Sequence, residues 1–101
     1  MAQTYNGAFI TSNAAGVTVT TGAANSVAIP VDASGNRPNY LRVAATTESY
    51  FNLRGATATT NDILVQPSDA VIIQVPKGQT SLFYIQGTTS GKMNIVPLDN
   101  S

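Results

Sequence analysis

Short apolar segments recur along the chain at intervals of about ten residues, separated by clusters of Gly, Pro, Asn, Asp and Ser, the strand-and-turn rhythm of a sandwich or barrel. No segment carries the spacing of an amphipathic helix. The predicted strands are Ala8–Ser12, Gly16–Thr21, Ser26–Pro30, Tyr40–Ala45, Tyr50–Arg54, Asp62–Gln66, Ala70–Val75, Leu82–Gly87 and Lys92–Leu98, which makes eight or nine. In the first half the alternation is clean. Val17 and Val19 oppose Thr18 and Thr20, Leu41, Val43 and Ala45 oppose Arg42 and Ala44, and Phe51 and Leu53 oppose Asn52 and Arg54. Such strands have one wet face, as in an antiparallel sheet.

The second half reads differently. Ile63, Leu64 and Val65 are consecutive, as are Val71, Ile72 and Ile73, and Leu82–Ile85 is an unbroken apolar run. Two-sided burial is the simplest cause. The stretch Ser81–Leu98 reads as a hairpin about a Gly87–Gly91 turn, with Leu82 and Tyr84 on one face and Phe83 and Ile85 on the other. In its second strand Met93 and Ile95 oppose Asn94, Val96 and Leu98. One face meets the opposite sheet. The other needs a cover, because contiguous exposed apolar patches beyond a few hundred Å² are uncommon on soluble monomers, and a second subunit is the expected one.

Turn chemistry supports these boundaries. Asp32-Ala33-Ser34-Gly35-Asn36 offers side chains that bond their own backbone and a glycine free to take positive φ. Pro67-Ser68-Asp69 and Pro76-Lys77-Gly78 are turn tripeptides in which proline presets φ. Pro30 and Pro97 are expected at strand ends or edges, where a missing N–H does no harm.

At 101 residues the chain makes one domain, residues 1–101, with residues 1–7 as a candidate flexible arm. Tyr5 and Phe9 lie in a polar N-terminal stretch, so they either complete the core from an added strand or dock on a neighbouring subunit. Cysteine is absent, which removes a disulfide framework and any Cys-based zinc site. Only 10% of residues are charged, five of each sign, against a usual quarter, so no field steers nucleic acid or acidic lipid. The N-terminus has neither a basic n-region nor a long apolar run, so neither a signal peptide nor a membrane anchor is expected.

Candidate chemistry is sparse. Histidine, the commonest tuned base, is missing. The acids Asp32, Glu48, Asp62, Asp69 and Asp99 sit beside turns and read as solvated; only the fold could assemble a carboxylate pair. Gly87–Lys92 falls short of a phosphate-binding loop, with three residues between its glycines and a strand after the lysine. Asp32–Asn36 opens like a calcium loop, but its glycine is misplaced and its twelfth position is Val43. Neither a cofactor nor a metal is expected.

The segment Tyr40–Leu98 carries a further signal. A strand Leu41-Arg42-Val43-Ala44 precedes Tyr50-Phe51-Asn52. A link Ala58-Thr59-x-x-Asp62-x-x-Val65-x-Pro67 follows, then an Ile73-x-Val75-Pro76-x-Gly78 turn, then Tyr84-Ile85-Gln86-Gly87 and a closing Asn94-Ile95-x-Pro97-Leu98. This stretch, about three fifths of the chain, resembles small virion proteins of tailed bacteriophages. The resemblance implies a capsid decoration or cement protein: a β-sandwich oligomer that clamps the shell, has no catalytic residue, and is found on the capsid surface after synthesis in the bacterial cytoplasm. Its implied partners are the major capsid protein and further copies of itself, as a dimer or trimer, with no nucleic acid or membrane.

The expected fold is an antiparallel β-sandwich of eight or nine strands, jelly-roll-like in preference to an immunoglobulin-like order. The expected interface residues are Tyr5, Phe9, Ile10, Phe83, Ile85, Val96 and Leu98. Competing expectations are a tail, baseplate or fibre component, and a carbohydrate-binding module with Tyr40 and Tyr50 as stacking rings.

Overall fold

A computed structural model describes residues 4–5, 8–11, 14–32 and 35–100, with side chains for 14–32 and 35–98. The strands are β1 (Thr4–Tyr5), β2 (Ala8–Thr11), β3 (Val17–Thr20), β4 (Asn25–Ala28), β5 (Tyr40–Ala45), β6 (Ser49–Asn52), β7 (Ile63–Val65), β8 (Val71–Gln74), β9 (Ser81–Gln86) and β10 (Lys92–Asn100), and no helix occurs among the described residues.

Strands β3 to β10 make an antiparallel β-sandwich of two four-stranded layers, ordered β3-β10-β5-β8 and β4-β9-β6-β7. The pairs β3·β10, β4·β9, β5·β8 and β6·β7 nest inside one another, as in one long hairpin bent at β6–β7. Wrapping that hairpin on itself adds β10·β5 and β9·β6. This is jelly-roll connectivity, not the immunoglobulin order. The β1·β2 hairpin is an addition, joined to the last residues of β10 through Thr11↔Asp99 and Ile10↔Asn100.

The core follows from the alternation. On β5, Leu41, Val43 and Ala45 point inward while Arg42 is exposed. With Met93 and Ile95 of β10 they meet Phe51, Val65, Leu82 and Tyr84 of the second layer. Burying each such aliphatic or Phe side chain contributes about 1.5–3 kcal/mol, so this double layer is what orders the domain.

The turn assignments hold. Asn36 donates its amide to the Asp32 carboxylate at 2.9 Å with Gly35 at φ 81°. Asp69 closes on Gln66 and Gln79 on Pro76 through main-chain bonds.

Three expectations are corrected. Ser81–Leu98 is not a hairpin, because β9 and β10 belong to different layers and the 87–91 connection arches between them. That arch is held by loops far away in sequence: Thr21 and Gly91 exchange two hydrogen bonds, and the Gly87 amide reaches the Glu48 carbonyl at 2.9 Å. Its glycines answer to crowding and not to turn dihedrals, since a Cβ on Gly91 would run into the Thr46 and Thr47 side chains. Secondly, the consecutive apolar residues are not buried on both sides within the chain. Ile63, Leu64 and Ile72 remain 37–39% exposed. Thirdly, Pro97 lies inside β10, flanked by strands. There the register points its nitrogen away from β5, toward the gap between β3, which ends opposite Ile95, and β2, which begins opposite Asp99. The missing donor therefore costs no ladder bond.

Candidate functional site

The densest polar cluster gathers around Asp62, at the mouth of the β6–β7 loop. Its carboxylate accepts from the Thr59 amide at 2.8 Å, from Asn52 Nδ2 at 3.0 Å and from Arg54, with a closest ion-pair distance of 3.1 Å. Asn52 also donates to the Ala56 carbonyl. These donors hold the Asp62 carboxyl below its usual pKa, the Thr59 amide contributing most, then Asn52, with Arg54 adding to it and partial desolvation opposing. From its place beside a turn, Asp62 is expected to be a solvated acid. It is instead the tie that closes the 53–62 loop, and its side chain is only 10% exposed. The cluster is internally satisfied and presents no free base or nucleophile. Among the described residues no group of three or more His, Cys, Asp or Glu could hold a metal.

The surfaces carry more information. Strands β4, β6, β7 and β9 contain no charged residue. Register places Leu64 opposite Tyr50 and Tyr50 opposite Ile85, so these three form a row straight across the outer face of that layer. Phe83 extends it, half-buried beside Ser26 and Thr57 where the β6–β7 loop folds back. The outer face of the other layer differs, carrying Thr18, Thr20, Arg42, Lys92 and Asn94.

The expected interface residues are therefore not all brought together. Phe83 and Ile85 share the uncharged face. Val96 lies on the opposite face, between Thr-rich β3 and Arg42, and Leu98 on that side is 5% exposed and packed away. Tyr5 falls in β1 and Phe9 and Ile10 in β2, while their side chains lie outside the described residues. Of the candidate arm 1–7, Thr4–Tyr5 pairs with β2 and the remainder lies outside the described residues. Tyr40, 4% exposed, offers no stacking platform. Sequence reasoning missed Leu64 and Tyr50 as partners of Ile85, because a row that crosses three strands depends on register, which no single segment encodes.

Comparison of the chain with family models, curated proteins and solved structures found no match.

Proposed function

We propose that this chain is a non-enzymatic structural protein of a bacteriophage virion, which binds the assembled capsid shell and stabilises it as a decoration or cement protein. The observation that carries the reading is the uncharged row Leu64, Tyr50 and Ile85 with Phe83 on one face of the sandwich. Apolar and aromatic side chains that a small domain leaves partly in water suit contact with another protein, and aromatic anchors dominate such contacts. Three things support the choice of a shell: the resemblance of Tyr40–Leu98 to small phage virion proteins, the jelly-roll frame, and a surface too poor in charge for nucleic acid. Many copies on a repeating lattice would add avidity to a modest contact.

The test is co-sedimentation of the purified chain with DNA-filled particles and with empty shells of the major capsid protein. The chain is expected to pellet with shells, and the double substitution Phe83→Ser/Ile85→Ser is expected to abolish this while the far-ultraviolet spectrum is unchanged. A chain that stays in the supernatant with both particle types would overturn the reading and direct attention to tail and fibre assemblies.

A further inference from the structure

The sandwich has two open sides, each bordered by an edge strand from both layers, and their chemistry differs. On one side the edges are β3 and β4, Val-Thr-Val-Thr and Asn-Ser-Val-Ala, which are half polar. On the other they are β8 and β7, Val-Ile-Ile-Gln and Ile-Leu-Val. Natural sheets protect their edges with lysine, proline or inward charges, and neither β7 nor β8 contains any of these. Three of the four large apolar side chains that stand exposed among the described residues, Ile63, Leu64 and Ile72, belong to these two strands. Between them opens a cleft of about 460 Å³, floored by Leu53, Ile63, Ile73 and Pro76 and rimmed by the Arg54–Asp62 pair.

The main chain of this edge is also unfilled. Val75 donates its amide to the Asn39 carbonyl at 2.8 Å, and the antiparallel register continues as Leu41↔Ile73 and Val43↔Val71. Bonded and non-bonded positions alternate along such a ladder. The N–H and C=O groups of Ile72 and Gln74 therefore point away from β5, and among the described residues no strand pairs on that side.

We propose that β8 is a self-association edge: it pairs with β8 of a second copy across a two-fold axis, with Ile72 opposite the partner's Gln74. A second copy fits this edge better than a foreign strand on three counts. A two-fold axis perpendicular to the strands makes the pair antiparallel, and this register engages both free residues in both copies, with the axis at Ile73. The same register brings exposed Asp69, before β8, opposite the partner's Lys77, after β8, and does so twice by symmetry. Finally, the inward Ile73 meets the partner's Ile73 over the cleft, where Ile63 stands exposed, and the one charged pair at the rim is already satisfied within its own chain. The contact thus joins two sheets into one and buries apolar surface without stranding a charge. It goes beyond shell binding and leaves the outer face of β4-β9-β6-β7 free.

Sedimentation equilibrium of the full chain, without capsid protein, tests this. The expected result is a monomer–dimer equilibrium that Ile72→Lys, at an exposed edge position, converts to monomer with an unchanged circular dichroism spectrum. Asp69→Lys and Lys77→Asp, each turning two attractions into repulsions, are expected to weaken dimerisation about tenfold or more, and the combined swap to restore it. A wild-type chain that remains monomeric at roughly 1 mM, where even weak contacts form, would overturn the proposal, as would a dimer indifferent to Ile72→Lys or a charge swap that fails to rescue. A dimer that forms as described yet ignores capsid shells would count against shell binding alone.

Discussion

At the scale of single residues, two positions repay measurement. Phe51 is fully buried where the two layers meet, so Phe51→Ala removes a ring that the surrounding strands cannot collapse to replace. A loss of about 3–5 kcal/mol is expected in chemical denaturation. Asp62 is a different case, because its contribution depends on charge. Its carboxyl titrates below the ordinary value, chiefly through the Thr59 amide and Asn52. A depressed folded-state pKa stabilises the fold fully above the unfolded carboxyl value of roughly pH 4 and loses that stabilisation as the pH falls through the folded value. Thermal unfolding followed from neutral pH downward should therefore steepen below about pH 4 in the native chain, and more shallowly in Asp62→Asn. Equal slopes would show that the tie around Asp62 does not depend on its charge.

Among the structural elements, the arch between β9 and β10 and the central strand β10 decide most. Thr21 is buried at 1% exposure and its hydroxyl accepts from the Gly91 amide at 2.8 Å. Thr21→Val would leave that amide without its acceptor at a site with little room for water, and a destabilisation of about 1–3 kcal/mol is expected. Strand β10 is paired on both sides, with β3 or β2 along one and β5 along the other. Its amides are expected to exchange with deuterium most slowly, and those of the edge strands β4 and β7 faster, in native-state hydrogen exchange. Hydrophobic alternation placed the strands, and the Asp32, Pro67 and Pro76 turns placed several of their boundaries. Alternation could not say that consecutive strands β9 and β10 lie in different layers, since both a hairpin and an arch need a short glycine-containing link. The difference lies in Thr21, Thr46 and Glu48, residues 39 to 70 positions from their partners, that hold the arch.

For the molecule as a whole, the nested topology has a kinetic consequence. The outermost pair joins β3 to β10, and Thr18 is hydrogen-bonded to Asn94 across 76 positions of sequence. Chains dominated by such distant pairings fold in roughly milliseconds to seconds. Stopped-flow refolding should fall in that range, and a microsecond relaxation would contradict the nested order. The same topology sorts the surface into three chemically distinct regions: an uncharged aromatic face, a face bearing threonine, asparagine and two cations, and an apolar β7/β8 edge.

Local sequence determined the all-β class, most strand positions, the inward residues of β5, β6 and β9, and the turn at Gly35, because these depend on period-two burial and on backbone dihedrals that neighbouring residues set. Composition alone determined that the chain carries neither histidine nor cysteine. Tertiary structure decided the rest. It determined which strands become edges, why Pro97 is tolerated inside a central strand, that Asp62 is a structural tie, and that Tyr50 and Leu64 join Ile85 in one row. Each of these depends on register between strands distant in sequence, and register is settled by the packing of both layers together.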